Sequence, residues 1–99
     1  MLSVQQVRAD LREIKYYYAM KDKIESTLNL VKPTTTLQKV QAYNIAMEKA
    51  PVRLYTVYVA LYMKNKSMTV LAIEWGFSFE YIRHQNNNLI KYLQNAIKE

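Results

Sequence analysis

One glycine, Gly76, and two prolines, Pro33 and Pro51, are all the glycine and proline in 99 residues. Sheet proteins need tight turns, and tight turns use these residue types at set positions. So few breakers leave helices as the way for this chain to fold. The apolar fraction of 51% is enough to supply a core and argues against disorder. A chain of this size buries roughly two thirds of its unfolded surface. One all-α domain over 1–99 with one modest core is therefore expected.

The breakers and capping residues divide the chain into about five helices. The first is predicted from about Ser3 to Val31, capped by Ser3. Its apolar stripe is Val4, Val7, Leu11, Ile14, Tyr17/Tyr18, Met20, Ile24, Leu28 and Val31, in helical steps. Pro33 pushes Lys32 out of helical geometry and ends it. Thr35 with Gln38 fits a capping box for a second helix over Leu37–Lys49. Pro51 suits the first turn of a third helix over Val52–Lys64, with Leu54, Val57/Tyr58, Leu61 and Tyr62 inward. Ser67 caps a short fourth helix, Met68–Trp75, which Gly76 ends in the left-handed conformation. Ser78 caps a fifth helix, Phe79–Lys98. Residues 1–50 form the N-terminal helices, a candidate oligomerisation element, and 51–99 the portion that carries the motif below.

Several function classes are disfavoured. Without cysteine there is no disulfide, no thiolate nucleophile and no Cys-ligated zinc. His84 is the only histidine, with no His-x-x-x-His spacing and no cluster of acids, so neither a metal nor another cofactor is expected. No nucleophile–base pair or phosphate loop is visible, so an enzyme is not expected. No signal peptide is expected from Met1-Leu2-Ser3-Val4-Gln5, nor a transmembrane span, since no apolar run nears ~18 residues. These readings point to the cytoplasm with no membrane partner. The net charge of +6 favours an anionic partner, nucleic acid first. That excess is spread evenly between the two halves, so charge alone supports the reading weakly.

The stretch Ser67–Leu93, SMTVLAIEWGFSFEYIRHQNNNLIKYL, carries more. Short helix, glycine turn and longer helix make a helix-turn-helix. Small Ala72 suits the helix crossing, bracketed by Leu71 and Trp75, while Phe77 is expected to fill the turn's apolar position. Ile82, Leu89 and Leu93 continue the buried line. This leaves an outward arc of Phe79, Glu80, Arg83, His84, Asn87, Asn88 and Lys91. A major groove accepts one helix and is read by side chains of this kind: Arg on guanine, Asn or Gln on adenine, Glu on cytosine. Three consecutive asparagines lower helix propensity, a cost consistent with a surface role.

Residues Tyr55–Leu93 resemble region 4 of sigma factors. Leu71-Ala72, Gly76-Phe77-Ser78 and Ile82 stand where such domains place the helix contact, turn and core plug. Over roughly Val7–Leu93, "LREIKYYYAMKDKIE" followed by "APVRLYTVYVALYMKNKSMTVLAIEWGFSFEYIRHQNNNLIKYL" is similar to the ArpU/RinA-like late-gene regulators of phages of Gram-positive bacteria. That resemblance implies transcriptional control of packaging, structural or lysis genes through promoter DNA in the bacterial host cytoplasm. By position, Ser78, Phe79, Glu80, Arg83 and His84 match the recognition-helix readers. The chain departs from the pattern at Asn86, where a leucine-like core residue is usual, and at Ile73, where a charged exposed residue is common. Asn86 faces a partner or polar contact, or the register slips there.

Each candidate also has a plainer reading. Arg83 and His84 also suit a solvated helix face, and Glu80 also suits the helix dipole. Lys64, Lys66 and Lys91 flank the motif as phosphate contacts or as ordinary surface lysines. Tyr16–Tyr18 suit core or interface packing better than base stacking, the Tyr55/Tyr58/Tyr62 row reads as core, and the methionines as gap filling. The leading function is a sequence-specific transcription regulator, an activator, binding double-stranded DNA as a homodimer through the long first helix. The alternative is an adaptor that captures RNA polymerase or another host factor, suggested by Phe79 at the helix entrance.

Overall fold

Ser3 starts the first helix as expected: its Oγ accepts from the Gln6 amide at 3.0 Å and its carbonyl from Val7 at 3.0 Å. The computed structural model describes residues 2–27 and 34–97, with side chains given outside 22–34. The helices are α1 (Val4–Thr27), α2 (Thr34–Met47), α3 (Val52–Tyr58), α4 (Met68–Trp75) and α5 (Phe79–Ala96), with a π turn at Val59–Met63. No strand occurs among the described residues. The protein is a small all-α domain with a long first helix.

Several boundaries differ from expectation. Helix α1 is described to Thr27, so Leu28 and Val31 lie outside the described residues. Helix α2 begins at Thr34, which puts Thr35 inside the first turn and not at the cap. It ends at Met47, where Glu48 and Ala50 turn their amides back to Ile45 and Met47. Pro51 stands one residue before α3, with extended ψ of 142°, and its carbonyl accepts from Leu54 and Tyr55. Helix α5 ends at Ala96, and Lys98 lies outside the described residues.

The third helix is not uniform. At its end the ladder widens, the Lys64 amide reaching back five residues to Val59 O at 2.8 Å. Asn65 follows with φ 59°, a left-handed geometry that asparagine tolerates better than most residues. Its side-chain amide donates to Lys15 O of α1 at 3.2 Å. Apolar periodicity carries no signal for such a turn.

One hydrophobic cluster joins all the helices. Val7, Leu11 and Ile14 come from α1, and Val40, Tyr43 and Met47 from α2. Leu54, Val57, Tyr58 and Leu61 come from α3 and the π turn, Leu71 and Ala72 from α4. Helix α5 contributes Ile82, Leu89, Ile90 and Leu93 and packs against all four other helices. Burying each of the larger side chains contributes about 1.5–3 kcal/mol. Val4 lies at the exposed edge of this stripe.

Polar bonds set how the helices meet. The buried Asp10 carboxylate accepts from Tyr43 Oη at 2.7 Å and Gln6 Nε2 at 2.8 Å, and pairs with Lys39 at 3.2 Å. Glu13 accepts from Thr36 Oγ1 at 2.6 Å and Lys39 Nζ at 2.9 Å, and these two bonds hold its carboxyl below the usual range. Asn44 donates to Tyr18 Oη at 2.9 Å and accepts from Tyr58 Oη at 2.7 Å. Burial, reinforced by the Asp10 bond, pushes the Tyr43 hydroxyl far up. Burial also raises Tyr58.

Candidate nucleic-acid interface

The α4–turn–α5 segment is built by its caps. Ser67 Oγ accepts from the Val70 amide at 3.1 Å, and Ser78 Oγ from the Tyr81 amide at 3.1 Å. Gly76 closes α4 at φ 72°, and Phe77 donates back to Ala72 O at 3.0 Å. A side chain at Gly76 would meet nothing within 4 Å, so the need for glycine there is conformational. Leu71, Ala72 and Ile82 are buried beneath the turn, and Trp75 is half-buried.

Phe77 does not fill the turn. It is 49% exposed, and its ring lies 4.4 Å from that of Tyr81, also exposed. Leu71, Ala72 and Ile82 already close the space below, which leaves Phe77 outside. Ile73 is 76% exposed, so its position is a surface one, as the usual charged residue there implies. Tyr55, expected in the core, is 47% exposed, whereas Tyr58 is buried and Tyr62 half-buried. Of the tyrosine run, Tyr16 points to solvent, and Tyr17 and Tyr18 meet edge to face at 5.2 Å.

Helix α5 has a buried face and an outward one. Ile82, Gln85, Asn86, Leu89, Ile90 and Leu93 are buried. Ser78, Phe79, Glu80, Arg83, His84 and Lys91 are exposed, and Asn87 and Asn88 half-buried. The register does not slip at Asn86, whose Oδ1 accepts the Tyr62 hydroxyl from the π turn. Burial takes that hydroxyl up to about 12. Gln85 is a buried polar residue that sequence reasoning missed, and among the described residues its Oε1 has no hydrogen-bond partner.

The candidate side chains fall into three groups. At the start of α5, Arg83 donates from Nε at 3.1 Å and from Nη2 to Glu80 Oε2, which holds the guanidinium along the helix surface. Further along, His84, Asn87, Asn88 and Lys91 line a pocket of about 250 Å³ with Val4 and Arg8 of α1. Arg8 is an exposed residue of α1, and no local spacing announces its approach to α5. Lys64 and Lys66 stand apart, on a groove of about 270 Å³ with Tyr55 and Trp75. Lys66 Nζ is paired there with Glu74 Oε1.

Among the described residues, no group of His, Asp or Glu is placed to hold a metal ion, and no helix is long and apolar enough to cross a membrane. The chain matches no protein-family model, no curated protein and no solved structure.

Proposed function

We propose that this chain is a sequence-specific DNA-binding regulator of transcription that lays α5 in the major groove. The observation that carries the reading is the division of α5. One face is locked into the core, and the other presents Phe79, Glu80, Arg83, His84, Asn87, Asn88 and Lys91 beyond a capped turn. A groove-reading helix needs both a rigid back and polar readers on its front. Ser78 fixes the helix start, and on this reading Lys64 and Lys66 serve as flanking phosphate contacts. The reaction class is binding, with no catalytic step and no cofactor. The resemblance to ArpU/RinA-like regulators extends the proposal to activation of phage late promoters in a bacterial host cytoplasm.

Selection from random duplex DNA, with R83A in parallel, tests it. An enriched motif that weakens or broadens in the variant is expected. Uniform, salt-sensitive binding without enrichment rejects sequence reading. One helix-turn-helix reads few base pairs, so a homodimer on two half-sites belongs to the proposal. Sedimentation should show concentration-dependent mass, and a strict monomer at high concentration counts against it.

A second reading has its own observation. Val70, Ile73, Phe77, Phe79 and Tyr81 are apolar or aromatic side chains exposed on α4, the turn and the start of α5. Exposed apolar surface of this kind suits protein contact. On that reading the segment is an adaptor for RNA polymerase or another host factor. Capture from host lysate that survives nuclease treatment favours it.

A further inference from the structure

The pocket between α1 and α5 gathers basic and amide side chains from two helices. Arg8 and Lys91 bring two fixed positive charges to it from different helices. Asn87 and Asn88 bring amide donors, half-buried and therefore partly fixed in place. His84 adds a ring that can donate. Among the described residues, no carboxylate lines the pocket. The nearest acids along these helices are engaged elsewhere, Asp10 with Tyr43 and Lys39, and Glu80 with Arg83. Val4, the first residue of α1, forms part of the wall.

Size narrows the occupant. The hollow of about 250 Å³ is open to solvent on one side. A water takes about 30 Å³, so there is room for a tetrahedral oxyanion and a few waters. Charge-assisted donors from Arg and Lys, with amide N–H groups beside them, are the chemistry that holds a phosphate.

We infer that this pocket binds a single phosphate group, held between Arg8 of α1 and Lys91 of α5 with Asn87 and Asn88 as amide donors. On the DNA-binding reading, on which this source of the phosphate rests, it is one backbone phosphate beside the groove that α5 enters. Helix α1 then takes part in docking and not only in the core. Two cations on one phosphate make a specific prediction. The R8Q/K91Q double variant lowers the salt slope of duplex binding by about one, the share of one phosphate. Two independent phosphate contacts would lower it by about two.

The experiment uses the full chain. Arg8 and Lys91 are both exposed, so both variants should fold, and thermal melts check this. The first arm measures binding to a fixed duplex across salt concentrations for wild type, R8Q, K91Q and the double variant. Several-fold weakening in each single variant, equal on all sequences, and a slope lower by about one in the double variant are expected. The second arm titrates inorganic phosphate against chloride at equal ionic strength, following the Asn87 and Asn88 side-chain amide signals. Duplex binding with an unchanged slope, or one lower by about two, overturns the pocket and leaves DNA reading intact. No duplex binding, with saturable phosphate shifts that the double variant abolishes, removes the DNA reading and assigns the pocket to a free phosphate compound. Neither duplex binding nor phosphate shifts overturns both.

Discussion

At Asn86 a polar side chain occupies a place that helical periodicity assigns to the core. Its Oδ1 accepts the Tyr62 hydroxyl, so the two polar groups satisfy each other across α5 and the π turn. Y62F removes the donor and leaves a buried oxygen unpaired, which should destabilise by about 1–3 kcal/mol. Adding N86L removes the acceptor as well and should recover most of that loss, because deleting both partners is nearly neutral. Denaturant midpoints of the three variants decide it. A Y62F protein as stable as wild type would show that water replaces the bond. The same hydroxyl belongs to a set. Tyr43, Tyr58 and Tyr62 all hold their protons more tightly in the fold than free tyrosine does, mainly through burial. Groups raised in the folded state contribute their full stability below the unfolded value of about 10. Above it the unfolded chain releases protons first, so stability falls as pH rises through the folded values. Melting temperatures across the alkaline range should be level up to about pH 10 and then drop. Y58F should soften the drop, and an equally steep fall in Y58F sinks the assignment.

Among the elements, α4 and α5 were the most legible in the sequence, and their caps explain why. Ser67, Gly76 and Ser78 act within one turn of their own positions, so local chemistry places them. S67A and S78A should each cost about 1 kcal/mol, or about 4–8 °C in melting temperature for a domain of this size. G76A should cost about 1–2 kcal/mol from backbone strain alone, because the space around the missing Cβ is open. G76N should cost less, since asparagine tolerates the left-handed region. If G76A melts like wild type, the left-handed geometry is not holding the turn. Features set by distant contacts were not legible. The π turn is followed by Asn65, whose side chain reaches Lys15 across 50 residues of sequence. Phe77 and Tyr55 lie outside the core, which apolar character alone does not foretell. Arg8 joins the candidate site only through the meeting of α1 with α5.

For the whole molecule, the question is whether the C-terminal portion stands alone. Sequence patterning divided the chain into a helical 1–50 and a motif-bearing 51–99, yet one core runs through both. Val7, Leu11 and Ile14 lie in the same cluster as Leu89 and Leu93, so this part of the α1 stripe is taken up within the chain. A case for dimerisation from α1 rests on the positions beyond it. Polar bonds cross the same divide: Gln94 donates to Leu2 O at 3.1 Å, and Tyr92 Oη to Ala46 O at 2.7 Å. Cutting at residue 50 would uncover one side of α5 and of the π turn. It would also leave about 50 residues, near the roughly 40–60 residues where a lone core becomes marginal. The fragment 51–99 should therefore show helical dichroism without a cooperative melt, while the full chain melts in one transition. Mixing it with a separate 1–50 peptide should restore the cooperative transition, because the missing face is supplied in trans. A sharp melt of 51–99 alone would show instead that α3, α4 and α5 form an independent unit to which α1 and α2 are added.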